Sequence, residues 1–135
     1  MIISKQKITI ISTVKPKTQN VNDELRWFGA SLGLFNLRDR DMSCFRIFIE
    51  LLKSAKSRLS LSSDEIAYKL NLSRGTVMHH INRLMSAGIV VSDRNRYSLR
   101  VENLDLLIDE LEKDFARTFA ELKKVARDID GHLGL

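Results

Sequence analysis

Apolar residues recur every three or four positions along LSRGTVMHHINRLMSAGIV, residues 72–90. At 100° per residue, Val77, Ile81 and Leu84 fall within about 60° of one another, so their side chains share one face of a helix. This spacing predicts an amphipathic helix whose apolar face is buried in a core. Its opposite face is polar and is expected to lie at the surface.

Capping residues mark the ends of this helix and the start of a shorter one before it. Ser62 is followed three residues later by Glu65, which is the capping-box pattern at a helix start. After a turn of a few residues, Ser73 stands at the N-cap of the longer helix, and Gly88 stands at its end in the left-handed position. The chain is therefore predicted to form two helices joined by a tight turn.

The N-terminal part of the chain shows weaker patterns. Residues 2–14 are rich in Ile, Val and Thr and alternate crudely, which predicts one strand or a small hairpin. A helix is expected from Asn22 behind a capping Asn. A stronger helix is predicted within residues 37–55, and one face of it is lined by Met42, Phe45, Phe48, Ile49 and Leu52.

A long helix is predicted from about residue 102 to residue 133, since no Pro or Gly interrupts the chain before Gly131. A helix of some thirty residues is about 45 Å long, which is more than one small domain can cover. We expect it to form a coiled coil with its copy in a homodimer, and folding back on residues 21–37 is the alternative. The dimerisation residues, at spacings close to three and four, are Leu104, Ile108, Leu111, Phe115, Phe119, Leu122, Val125 and Ile129.

The segments IVVS and RYSLR are predicted as two short strands joined by a turn at residues 93–95. The order helix, short helix, tight turn, helix and hairpin is that of a winged helix-turn-helix, which places one helix in the major groove of DNA. The predicted fold class is mainly α, a winged helix-turn-helix with a two-stranded β-wing and a long C-terminal dimerisation helix. The domains are an N-terminal extension over 1–40, a DNA-binding domain over 41–100 and the dimerisation helix over 101–135.

Charge is distributed unevenly over these three parts, although the net charge is only +5. Residues 1–40 carry seven Lys or Arg against three Asp or Glu, and residues 41–100 carry ten against five. Residues 101–135 reverse the balance with five against nine. A basic body joined to an acidic tail suggests that the body binds a polyanion and that the tail binds something else.

Several kinds of site are not expected. The single Cys44 excludes an intrachain disulfide and a multi-cysteine zinc site, and it fits a cytoplasmic protein. The apolar start is interrupted by Lys5 and Lys7, so no membrane segment or export signal is expected. His79 and His80 diverge by about 100° on a helix, whereas a chelating pair needs a spacing of four. Without a nucleophile–base arrangement, phosphate loop or HExxH motif, we expect no enzyme activity, no metal and no cofactor.

The polar side of the longer helix and the hairpin tip carry the candidate binding residues. The residues at the helix N-terminus offer free N–H groups and a dipole that favour phosphate, and those further along reach successive base edges. The hairpin residues are placed to hold a flanking phosphate or to enter the minor groove. The predicted DNA-binding residues are Ser73, Arg74, Gly75, Thr76, His79, Arg83, Arg94, Asn95 and Arg96.

Residues 73–90 resemble the ArsR-type family of winged-helix transcriptional regulators. The likeness lies in the pattern Ser73-x-Gly75-Thr76-Val77-x-His79-His80-Ile81-x-x-Leu84-x-x-Ala87-Gly88-Ile89-Val90. The resemblance implies a dimeric repressor or activator that binds a palindromic operator. It does not extend to the metal sites of that family, since SSDEIAYKLNL has no cysteine, and Asp105 and Asp109 have no histidine companion except the distant His132.

These patterns together predict a sequence-specific DNA-binding transcriptional regulator that acts as a homodimer on a palindromic operator, with double-stranded DNA as its partner. The alternative is a winged-helix protein–protein interaction module without sequence-specific DNA binding. Salt separates the two, because affinity for DNA falls steeply as counterions accumulate. The sequence identifies no small-molecule effector.

Overall fold

The computed structural model describes residues 5–17, 20–35 and 42–135. Five helices and three strands lie within these ranges. In chain order they are α1 Val21–Ser31, α2 Ser43–Lys56, β1 Leu61–Ser62, α3 Ser63–Leu70, α4 Arg74–Ser86, β2 Val90–Asp93, β3 Arg96–Leu99 and α5 Leu104–Leu133. The chain divides into two compact units, residues 1–102 and residues 103–135.

The core of the first unit is built around α2, which contacts α3, α4 and β3. Burying one large aliphatic or aromatic side chain stabilises a fold by about 1.5–3 kcal/mol relative to leaving it exposed. The side chains that supply this burial come from every element in contact with α2. The largest fully buried ones are Ile47, Phe48, Leu51, Ile66, Val77, Ile81, Leu84, Ile89 and Val90, and β3 adds the buried Tyr97 and Leu99.

The buried face of α2 differs from the predicted one. Met42 stands before the helix as a left-handed N-cap residue with a φ of 53°, and of the five residues predicted to line the face only Phe48 is fully buried. The observed face consists of Cys44, Ile47, Phe48 and Leu51. Because the apolar side of α2 is broad, spacing alone allows two adjacent faces, and the contacts with its neighbours select one of them.

The predicted N-caps at Ser62 and Ser73 are confirmed, and the N-cap of α1 is Asn20, whose side chain accepts a hydrogen bond from the Asn22 amide. Ser62 Oγ accepts a hydrogen bond from the Glu65 amide at 3.1 Å, and Ser73 Oγ accepts one from the Thr76 amide at 3.1 Å. Gly88 adopts the predicted left-handed conformation, with a φ of 83°. Each cap satisfies a backbone N–H that the first helical turn leaves without a partner, which is why local sequence sets these helix starts.

The hairpin predicted after α4 forms, and it gains a third strand. The strands are antiparallel in the order β1-β3-β2, with Leu61 of β1 paired to Tyr97 of β3. Arg94 and Asn95 connect β2 to β3 with left-handed φ values of 54° and 61°, as a two-residue hairpin turn of this kind requires. β1 escaped prediction because a strand of two residues shows no alternation.

Residues 5–17, here called the N-terminal segment, contain no strand, so the predicted strand or hairpin does not form within residues 5–14. Residues 2–4 of that prediction lie outside the described residues. The Lys7 amide instead donates a hydrogen bond to the Ser86 carbonyl at 2.9 Å, and the Ile11 amide donates one to the Ser31 carbonyl at 2.8 Å. Both acceptors are the last residues of helices, where carbonyls lack intrahelical partners, so the segment pairs with helix ends.

The second unit is the single helix α5. Asn103 Oδ1 accepts a hydrogen bond from the Leu106 amide at 2.9 Å, and Gly134 ends the helix in a left-handed conformation. Of the predicted dimerisation residues, Leu111 is buried, whereas the apolar residues further along the helix are 49–60% exposed. These exposed residues are Phe119, Leu122, Val125 and Ile129. No helix within the described ranges is long and apolar enough to cross a membrane.

The approach of α1 to α2 yields a prediction about stability. A Cβ atom at Gly29 would lie 2.6 Å from Phe45 Cδ2, and the Phe45 ring is held edge-on against Phe35 with centroids 5.2 Å apart. We expect Gly29→Ala to destabilise the fold by about 1–3 kcal/mol, measured by chemical denaturation, because overpacking outweighs the better helix propensity of alanine.

The matched control is Gly75→Ala in α4. No atom lies within 4 Å of a Cβ built at Gly75, so this change should stabilise the helix by up to about 1 kcal/mol. If the two substitutions shift stability equally, close packing at Gly29 is not what holds α1.

Candidate nucleic-acid interface

The helix α4 has a buried apolar side and an exposed side, as the sequence predicts. Val77, Ile81 and Leu84 are at most 1% exposed, while His79 and Arg83 are exposed on the other side of the helix. Because one periodic pattern sets both faces, the burial of the apolar stripe also determines which residues reach solvent. The exposed side of α4, which carries His79 and Arg83, is here called the recognition face.

The N-terminal turn of α4 is open. Ser73 Oγ also donates a hydrogen bond to Thr76 Oγ1 at 2.8 Å, so the two hydroxyl groups hold each other at the helix start. Arg74 lies 3.7 Å from Asp64 in an ion pair whose side chains are both about three-quarters exposed, so the pair contributes little and competes weakly with a ligand. With open space beside Gly75, a phosphate can approach the backbone amides here.

The two adjacent histidines have different surroundings. His79 is exposed on the recognition face and His80 is half-buried, with ring centroids 5.1 Å apart and planes at 61°. Adjacent residues of a helix diverge, so the two side chains do not form a chelating pair. Across the described residues, no group of three or more His, Cys, Asp or Glu could hold a metal ion.

The far end of the recognition face meets the N-terminal segment, which sequence patterns did not reveal. Arg83 Nη2 donates a hydrogen bond to the Gly33 carbonyl at 3.3 Å, across fifty positions of sequence. Gln6 Nε2 donates one to the Ala87 carbonyl at 2.7 Å, just beyond the end of α4. Arg83 therefore stays at the surface but lies beside residues of the N-terminal extension, whereas His79 lies one helical turn nearer the open end.

The two predicted arginines of the hairpin are placed differently. Arg94 occupies the turn and is exposed, with no hydrogen-bond or ion-pair partner among the described residues. Arg96 donates hydrogen bonds to Glu65 Oε1 at 2.9 Å, to the Ser60 carbonyl at 2.8 Å and to Ser60 Oγ at 3.1 Å. The wing tip thus presents Arg94 and Asn95, while Arg96 ties β3 to the start of α3.

The Arg96 guanidinium changes the acidity of its partner. Its hydrogen bond to Glu65, assisted by its positive charge and by the Ser62 hydroxyl, lowers the pKa of the Glu65 carboxyl below the ordinary value of 4.5. Both side chains of the pair are close to half-exposed, so solvent screens the interaction and its contribution to stability is small.

Comparisons with known proteins agree with this geometry. Residues 50–91 match the family model described as winged helix-turn-helix DNA-binding. The first unit contains a winged helix-turn-helix domain. The match covers the broad class and does not single out the ArsR-type family that residues 73–90 resemble.

A solved structure of a MarR family protein from Bacillus stearothermophilus is similar at 16% sequence identity, with a TM-score of 0.37 over 85% of this chain and 94% of that chain. A likeness this distant carries no inference about function. No curated protein matches the chain.

The Arg96–Glu65 pair yields a prediction about pH. We expect Glu65 to titrate below 4.5 in the native protein, and Arg96→Gln to raise its pKa towards the ordinary value, as followed by side-chain carboxyl NMR. Because the folded-state pKa is lowered, the pair's contribution is present above the unfolded pKa and is lost as pH falls through the folded one. The stability difference between wild type and Arg96→Gln should therefore shrink in acid to the part that comes from the hydrogen bonds of Arg96 to Ser60.

Arg94→Gln is the matched control for this titration, since it removes a neighbouring arginine that does not contact Glu65. A Glu65 pKa that moves equally in the two variants would show that general surface charge, rather than the hydrogen bond, sets its acidity.

Proposed function

We propose that the chain is a sequence-specific DNA-binding transcriptional regulator that places α4 in the major groove. The observation that carries this proposal is the recognition face itself. It is a capped, exposed helix start with open space at Gly75, followed by polar and basic side chains on the side opposite the core stripe. In a winged helix-turn-helix this is the helix that contacts base edges.

The first turn of α4 is proposed to bind a phosphate of the DNA backbone. Free backbone N–H groups and the helix dipole favour a negative group here, and Arg74 adds a charge that its weak ion pair with Asp64 leaves available. The Ser73 hydroxyl already accepts a hydrogen bond from the Thr76 amide. Its main role would therefore be to position the backbone amides, with a contact to the phosphate in addition. Phosphate contacts of this kind fix the register of the helix in the groove.

Base reading is proposed for Thr76, His79 and Arg83, which follow one another along the recognition face. Arginine pairs with the two acceptors of guanine, and threonine offers both a hydroxyl and a methyl group. The hydrogen bond from Arg83 to the Gly33 carbonyl is long and exposed, so the guanidinium can exchange it for a base edge.

The wing is proposed to hold the flanking backbone. Arg94 and Asn95 occupy the tip, and Arg96 keeps its positive charge beside them while anchoring β3 through Glu65. Residues 71–100 contain five Arg and one Asp, so the surface around the groove-binding helix is strongly basic. That field supports attraction to a phosphate backbone.

A homodimer through α5 is proposed as the assembled form. Leu122, Val125 and Ile129 are about half exposed at spacings of three and four residues, and such a seam is typical of a coiled coil. A helix of 30 residues extends about 45 Å, and a second copy would cover its exposed apolar side. Two subunits would present two recognition helices, which favours a palindromic operator.

Selection from random DNA tests the proposal. We expect enrichment of a palindrome with half-sites about 10 base pairs apart or a multiple of that distance. On the selected operator, Gly75→Ala should weaken binding by about tenfold, because its methyl group would stand between the helix backbone and a phosphate. Arg94→Ala should weaken all DNA about equally and reduce the salt slope by about one, measured by fluorescence anisotropy over a salt series.

Lys123→Ala in α5 is the control, since it removes a positive charge far along the acidic helix. Affinity for the operator should be unchanged in it. If no sequence is enriched and affinity barely responds to salt, the alternative of a winged-helix protein–protein interaction module without sequence-specific DNA binding is favoured.

The oligomeric state tests the role of α5. Wild type should sediment at about twice the chain mass of 15.5 kDa. The double variant Leu122→Gln, Val125→Gln should raise the dimer dissociation constant at least about 100-fold, because four apolar side chains lose their burial. Glu121→Gln with Lys124→Gln is the matched control on the same turns. A monomeric wild type, or equal effects of the two pairs, would contradict the proposed dimer.

A further inference from the structure

A cleft of about 560 Å³ is lined by residues of the N-terminal extension, by Cys44 of α2 and by the recognition face of α4. Lys7 and Leu34 contribute to one side of it, and His79, Asn82 and Arg83 contribute to the other. A volume of this size is in the range of small-molecule sites. All of the lining residues belong to the first unit.

Specific hydrogen bonds hold the two sides of the cleft together. The Lys7 amide binds the Ser86 carbonyl at 2.9 Å at one margin, and Arg83 binds the Gly33 carbonyl at 3.3 Å at another. Gly33 has a φ of 70°, and a Cβ there would lie 3.1 Å from Thr9 Cβ. The chain can make this close approach because residue 33 is glycine, so the cleft is built by the local sequence of the extension.

The described residues of the lining combine apolar side chains with basic ones. Among the described residues of the lining, Lys7, His79 and Arg83 are the basic ones, and none is Asp or Glu. Neither Lys7 nor Arg83 forms an ion pair with a carboxylate in the described part of the chain. Leucine side chains, including Leu32 and Leu34, supply an apolar surface beside these cations. Basic residues next to apolar ones suit a ligand with an anionic head and an apolar body.

We propose that this cleft binds a small organic anion, with a carboxylate or phosphate head held by Arg83 and Lys7 and an apolar body against the leucines. The same anion would also regulate DNA binding, a step that rests on the proposed function. His79 and Arg83 belong both to the cleft and to the DNA-reading set, so an anion in the cleft and DNA in the groove compete for them. By linkage, each ligand then lowers the affinity for the other by the same factor.

Direct binding of 1-naphthoate and 1-naphthyl phosphate to the full chain, without DNA, tests the site. We expect both to shift backbone amide resonances around the cleft, including those of Thr9, Gly33 and Asn82, in NMR titrations. The neutral 1-naphthamide should bind at least about tenfold more weakly, because it lacks the charge-assisted hydrogen bond. Whichever anion binds more tightly identifies the head group as carboxylate or phosphate.

Arg83→Gln should weaken binding of the anion at least about tenfold, and Lys56→Gln, a basic residue of α2 outside the cleft, is the matched control that should change it less than about twofold. Unchanged thermal unfolding of Arg83→Gln, whose side chain is exposed, shows that the fold is intact. The inference is overturned if the anions do not bind, if naphthamide binds equally, or if the shifted resonances lie on the apolar side of α5.

The same anion added to the protein–operator complex tests the competition. We expect naphthoate to weaken operator binding in wild type and to have less effect in Arg83→Gln. Operator binding without any naphthoate site would leave the proposed function standing and overturn this inference. A naphthoate site without any selected operator would leave the site standing and overturn the DNA-binding proposal together with the competition.

Discussion

The burial of Val77, Ile81 and Leu84 is the interaction on which the candidate interface depends. It fixes the rotation of α4 about its own axis, and because successive residues are 100° apart, it also fixes where His79 and Arg83 point. The Ser73 cap sets where the helix begins, so its position along the axis is determined as well. A helix held in rotation and in register presents its side chains without further ordering cost, and that preorganisation favours specific binding.

Features that depend on neighbouring residues could be predicted from the sequence. The caps at Ser62 and Ser73, the left-handed Gly88 and a turn within residues 93–95 are set by bonds or φ values within a few positions. The buried face of α2 could not be chosen, because the apolar side of this helix is wider than the face that its neighbours cover. The N-terminal segment was misread for a related reason. Its β-branched residues favour extended backbone, but only the folded chain shows that helix-end carbonyls, rather than a strand, accept its amides.

The sequence predicted on which side of α4 the candidate residues lie, but not which other residues they contact. Periodicity places Thr76, His79 and Arg83 on one side of α4 whatever else the chain does. The contacts that qualify this picture join Arg83 to Gly33 and Arg96 to Glu65, over fifty and thirty-one positions of sequence. Local patterns carry no information about such pairs. The cleft beside the recognition face likewise exists only because a distant glycine admits close approach of the N-terminal segment.

The bonds from Arg96 to Glu65 and Ser60 join the hairpin to the start of α3 and to the residue before β1. Because α3 and β2 also contact α4, the hairpin and the exposed side of α4 belong to one packed unit. If α4 lies in the major groove as proposed, the distance from α4 to the wing tip has to match the distance from that groove to the adjoining DNA backbone. The latter distance varies with base sequence through groove width and bendability. Base pairs between α4 and the wing tip would then affect operator affinity without being contacted, through the free energy needed to deform the DNA to the required groove width.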